Sequence, residues 1–113
     1  MLKKPCRLTN NKDFQQVYRR GRNNTTPFFN IHALPNKAGI TKIGIVASKK
    51  ISKKAVVRNQ IKRRVREISQ EFYNKLIPGQ NIIITVKPNA VTIEFSKLRE
   101  EIQKVFVKMN LLK

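Results

Sequence analysis

Between Ser48 and Glu67, nine cations (Lys49, Lys50, Lys53, Lys54, Arg58, Lys62, Arg63, Arg64 and Arg66) stand against one acid, Glu67. The chemistry this offers is anion binding. Arg58, Lys62 and Arg66 recur every four residues, with Asn59 and Arg63 beside them, a spacing that aligns them on one face of an α-helix. Asn59 stands out as a poor helix former whose amide can both donate and accept. The simpler alternative is an ordinary solvated charged face. Against it, like charges stacked along a helix destabilise it unless a polyanion compensates.

Catalytic groups are scarce by comparison. A protein that cleaves a phosphodiester needs paired carboxylates holding metal, or a histidine acid/base pair. The acids here are Asp13, Glu67, Glu71, Glu94, Glu100 and Glu101. Glu67 and Glu71 lie one turn apart and could share a cation. Arg63 four residues before Glu67 and Lys75 four after Glu71 instead mark them as partners in helix-surface ion pairs. Glu100 with Lys104, and Lys97 with Glu101, repeat the pattern. His32 is the only histidine and Cys6 the only cysteine, and Gly21, Gly39, Gly44 and Gly79 are too scattered for a phosphate loop. The chain carries binding groups without a catalytic set, and no metal or cofactor site of its own is expected.

The overall charge points the same way. With 25 Lys and Arg against 6 Asp and Glu, the net charge is +19 and the isoelectric point about 11.0. Self-repulsion of that size suits a polyanionic partner, nucleic acid first and an anionic membrane surface second. The membrane reading weakens because no apolar run approaches the roughly 20 residues of a spanning helix. Met1-Leu2-Lys3-Lys4-Pro5 is basic, but polar residues follow where a signal peptide needs an apolar stretch. The lone cysteine fits a reducing cytoplasm. At 113 residues and 40% hydrophobic, the chain suits one domain, 1–113, that buries roughly two-thirds of its unfolded surface.

The elements that must position these groups follow from periodicity. Residues 9–20 read as a short helix capped by Thr9 or Asn10, with Phe14, Val17 and Tyr18 as its apolar patch and Gly21 ending it in the left-handed conformation. Residues 22–27 form a polar connection or short edge strand. Residues 28–34 read as a strand with Phe29, Ile31 and Ala33 on one face and Asn30, His32 and Leu34 on the other. Pro35–Gly39 has turn chemistry, which predicts a hairpin to a strand over 42–48. In that strand Ile43, Ile45 and Ala47 point one way, and Gly44 and Val46 the other. Val57, Ile61, Val65, Ile68 and Phe72 set the packing stripe of a basic helix from about Lys54 to Leu76, closed by Pro78-Gly79. Residues 81–87 are β-branched and apolar on both faces, as in a central strand. A turn at 88–90 leads to a last helix over 96–109, striped by Leu98, Ile102, Val105, Phe106 and Met109.

The run Ser48-Lys49-Lys50, followed by Lys54-Ala55-Val56-Val57-Arg58-Asn59-Gln60-Ile61-Lys62-Arg63 and extended to Arg66-Glu67, resembles the signature of the protein subunit of bacterial ribonuclease P. The resemblance runs from Arg7-Leu8 through Asp13-Phe14 to the last helix. One departure is the Ser52-Lys53-Lys54 segment, where many relatives carry a shorter glycine-containing turn. The family likeness implies an α+β fold, an α/β sandwich of order αβββαβα whose four-stranded sheet contains a left-handed βαβ crossover. It also implies that catalysis resides in an RNA subunit using magnesium, and that the protein binds this RNA and the single-stranded 5′ leader of precursor transfer RNA. Lys49, Lys50, Lys53, Lys54, Arg58, Asn59, Lys62, Arg63 and Arg66 match the RNA-binding segment. Phe14 and Tyr18 match aromatic positions on the first helix that border a cleft over the sheet, where with Asn30, His32 and Val46 on one sheet face they could hold unstacked leader bases, although helical spacing alone allows the two aromatics to be plain core. No membrane or protein partner is implied. From composition alone, a structural RNA-binding protein of the ribosomal kind fits as well, and a self-sufficient nuclease fits poorly.

Overall fold

The computed structural model describes residues 4–113; the basic start Met1–Lys3 lies outside the described residues. After a 3-10 turn at Lys4–Cys6 come α1 (Asn11–Arg20), β1 (Arg22–Thr25), β2 (Phe29–Pro35), β3 (Lys42–Val46), α2 (Ala55–Tyr73), β4 (Gln80–Val86), a second 3-10 turn at Pro88–Val91, and α3 (Phe95–Lys108). The order of helices and strands is the expected αβββαβα, with residues 22–25 forming an edge strand.

The sheet runs β1-β2-β4-β3. β1 with β2, and β2 with β4, are antiparallel, whereas β3 pairs with β4 in parallel. The hairpin expected between β2 and β3 is therefore absent, because β4 lies between them. Its run of Ile82, Ile83 and Ile84 is fully buried on both faces, and only the centre of the sheet covers both faces of a strand. The turn after β2 is tied instead to the start of β4. Asn36 donates its backbone N–H to the Gly79 carbonyl (2.8 Å) and its side-chain amide to Asn81 Oδ1 (2.8 Å).

Alternation decides the layers. Phe29, Ile31 and Ala33 of β2, Ile43 of β3, and Ile82, Ile84 and Val86 of β4 form one core with Ile61, Val65, Ile68 and Phe72 of α2 and Leu98, Ile102, Val105 and Phe106 of α3. On the opposite face α1 covers a smaller cluster of Leu8, Val17 and Ile83, with Phe14, Leu34 and Val46 packed at its edge. Asn10 caps α1 by accepting from the Lys12 N–H at 2.8 Å. Gly21 ends that helix, but in an extended conformation (φ −76°) and not the left-handed one expected. Its requirement is for space. A Cβ there would lie 2.5 Å from the Val17 carbonyl oxygen and 2.9 Å from that of Ala33, where the chain turns straight into β1.

Candidate nucleic-acid interface

β3 ends at Val46 and hands the chain directly to the basic loop. Ser48 shapes its first half, accepting the Ile51 N–H on its carbonyl (3.0 Å) and the Lys50 N–H on its hydroxyl (3.3 Å). Ser52 shapes the second half, its hydroxyl accepting the Lys54 N–H at 3.1 Å. Arg58 then reaches back from α2 and donates Nη1–H to the Ser52 carbonyl at 2.7 Å. Lys49, Lys50, Lys53 and Lys54 are all exposed. Lys54 occupies the N-cap of α2 without a side-chain cap bond, and the first turn holds no acid. The positive end of the helix dipole and its free N–H groups are left uncompensated beside four ammonium groups, an arrangement that attracts anions.

Along α2, Ile61, Val65, Ile68 and Phe72 fasten the helix to the core. That anchorage leaves Arg58, Lys62 and Arg66 half-buried on the flank and Asn59 and Arg63 exposed beside them. Arg63 and Arg66 line an open groove of about 650 Å³ with Glu67, Gln70 and Glu71. The local ion pairs expected here do not form. Glu71 instead accepts from Arg99 Nε of α3 at 2.6 Å, and that bond holds its carboxyl below the usual carboxylate range. Glu101 takes both Lys97 (3.2 Å) and Lys104 (3.8 Å), so the expected Glu100–Lys104 pair is replaced by one a residue later. Positions three and four residues apart are both neighbours on a helix, so Lys104 can reach Glu101 as well as Glu100. Among the described residues, no cation of the loop or of α2 has an ion-pair partner.

The second surface is the sheet face beside α1. Here Phe14, Tyr18, Asn30, His32 and Val46 do come together. Tyr18 meets His32 edge to face at 5.0 Å between ring centres, and Phe14 lies 6.5 Å from Tyr18. Val46, Thr85 and Asn30 stand opposite one another across β3, β4 and β2. The two aromatics differ in role. Phe14 is half-buried over Gly44, where a Cβ would come within 2.6 Å of its ring. Tyr18 is 47% exposed. Asn30 Oδ1 and His32 Nδ1 are buried with no hydrogen-bond partner within the protein, and burial keeps the His32 pKa below its ordinary value.

Thr85 belongs to this surface and was missed at the level of sequence. Its hydroxyl lies 3.5 Å from the Tyr18 hydroxyl, the outer limit of a hydrogen bond. Its signal was present, since it is the one polar residue interrupting the apolar run of residues 82–86.

The two surfaces offer complementary chemistry. One presents ammonium and guanidinium groups to phosphates, the other rings and unpaired polar atoms to flat, hydrogen-bonding groups. Among the described residues no group of three or more His, Cys, Asp or Glu could hold a metal ion, and no helix is long and apolar enough to cross a membrane. Comparison with known proteins identifies the family. The ribonuclease P family profile matches residues 2–110. The ribonuclease P protein component of Picosynechococcus is 39% identical over 106 residues, 94% of this chain and 91% of that protein. That of Bacillus velezensis is 38% identical over 113 residues, 99% and 96% of the two chains. Among solved structures, the RNase P protein of Staphylococcus aureus superposes with a TM-score of 0.87 at 26% identity, over 96% of this chain and 98% of that one. The Thermotoga maritima RNase P protein gives 0.79 at 25% identity, over 88% and 93%. The chain belongs to the ribonuclease P family, as a bacterial protein component.

Proposed function

We propose that this chain binds the catalytic RNA subunit of ribonuclease P and the 5′ leader of precursor transfer RNA, and so supports hydrolytic maturation of the transfer RNA 5′ end in the cytoplasm. The observation that carries the reading is the pairing of an unneutralised cationic surface with a separate ring-bearing sheet face. Lys49, Lys50, Lys53 and Lys54 of the loop, with Arg58, Asn59, Lys62, Arg63 and Arg66 of α2, contact RNA phosphates. Affinity from such contacts is largely sequence-independent and falls with salt. Phe14, Tyr18, Asn30, His32 and Val46 receive leader nucleotides, because single-stranded RNA exposes base faces that stack on aromatic rings.

Cleavage itself belongs to the RNA subunit with its bound magnesium ions, and the protein contributes binding and orientation. Precursor transfer RNA incubated in magnesium with the RNA subunit, with the protein, and with both tests this assignment. Processing that needs the RNA subunit and is enhanced by the protein at low salt is the expected outcome. Cleavage by the protein alone would overturn it.

A further inference from the structure

The structure assigns Arg58 a second role, which is to position the loop lysines for RNA as well as to face RNA itself. This rests on reading the loop and α2 as the RNA interface. The loop places Lys49, Lys50, Lys53 and Lys54 within six residues, so free of RNA these ammonium groups repel one another and favour an open, mobile segment. Its two halves are restrained differently. The first half is anchored by Ile51, which packs against the main core, and by the Ser48 turn. The second half, Ser52 to Lys54, has no such apolar anchor. Beyond its own Ser52–Lys54 contact and the first turn of α2, its tie among the described residues is the 2.7 Å bond from Arg58 Nη1 to the Ser52 carbonyl.

That bond spans six residues and joins a loop carbonyl to a helix held by Ile61 and Val65. A guanidinium has five N–H donors in a rigid fork. One donor can hold Ser52 while others remain for a phosphate, so the same side chain fixes Lys53 and Lys54 relative to the α2 stripe and joins that stripe. An ordered set of lysines binds a polyanion without first losing the conformational freedom of the loop, which is where preorganisation raises affinity.

The test compares Arg58→Ala and Arg58→Lys with the unaltered protein, alone and with precursor transfer RNA. In the free protein, amide exchange at Lys54 should rise about tenfold in Arg58→Ala, as expected for loss of a charge-assisted hydrogen bond that closes a local opening. Exchange in β4 should stay unchanged. Arg58→Lys should recover part of the protection, since an ammonium can still donate to the Ser52 carbonyl. RNA affinity should fall about tenfold in Arg58→Ala while the slope of log K against log salt loses no more than about one contact. In a background of Lys53→Ala with Lys54→Ala, adding Arg58→Ala should cost less than about threefold, because there is then little left to position and only its own RNA contact to lose.

Unchanged exchange at Lys54 in Arg58→Ala would overturn the inference. Equal acceleration throughout β4 would do the same, by making Arg58 a general support of the fold. Losses that multiply in full in the combined variant would make Arg58 an RNA contact alone, with no positioning role, and would overturn the inference. If loop exchange rises but the two lysine substitutions leave RNA affinity unaltered, the RNA interface itself has been misplaced, and the proposal falls with it.

Discussion

The two faces of the sheet are built from alternate residues of the same strands, yet they serve different ends. Ile82, Ile84 and Val86 of β4 point into a core closed by α2 and α3, and each is buried. Ile83 and Thr85 point the other way, and α1 is long enough to cover only the first of them fully. Past the end of that cover, Tyr18, Asn30, His32 and Thr85 stand at the margin, and two of them hold polar atoms with no partner in the protein. Leaving such an atom unpaired costs about 1–3 kcal/mol. The core face supplies stability well enough that the outer face can leave these atoms unpaired within the protein.

That contrast can be broken first on the core side. Ile84→Ala should lower unfolding free energy by about 2–5 kcal/mol, the usual cost of emptying a fully buried aliphatic site. A urea melt measures this, and RNA affinity corrected for folded fraction should not change. On the outer face the pattern should invert. Tyr18→Ala should weaken binding of single-stranded leader RNA by about 1–3 kcal/mol and cost about 1 kcal/mol of stability or less. A loss of stability without a loss of leader binding would make Tyr18 a packing residue.

The cationic surface should respond to salt where the outer face does not. Lys62→Ala should reduce the magnitude of the slope of log K against log salt by about 0.7–0.9, one phosphate contact. Tyr18→Ala should leave that slope unaltered, and filter-binding titrations from low to high salt separate the two. The smallest effect concerns pH. Burial keeps the His32 pKa below its ordinary 6.5, so the folded protein favours the neutral ring. As pH falls below 6.5 the unfolded chain takes up the proton first. Stability present above that pH is lost as the pH drops through the lowered folded value, and levels off beneath it. Melting temperatures of His32→Gln should therefore vary less than those of the unaltered protein between about pH 7 and about pH 5.

Periodicity in the sequence was enough to say which side chains face inward. The alternation of Phe29, Ile31 and Ala33, and the four- and three-residue steps of Ile61, Val65, Ile68 and Phe72, all reappear as core. Both follow from local geometry, because the pleat of a strand and the pitch of a helix are properties of the backbone. The cationic stripe was legible for the same reason, and so was the gathering of Phe14, Tyr18, Asn30, His32 and Val46, given the family resemblance. Tertiary structure alone decided who pairs with whom. Turn chemistry at residues 35–39 suggested that β2 and β3 are neighbours, but the strand with the most apolar surface took the place between them. Glu71 chose Arg99 on another helix over Lys75 on its own. Thr85 joined the outer face through register with Asn30 and Val46, and Arg58 found a carbonyl six residues back in the loop. A side chain's facing is set by its own backbone, whereas its partner is set by how all the elements together bury the most apolar surface, and no local pattern contains that.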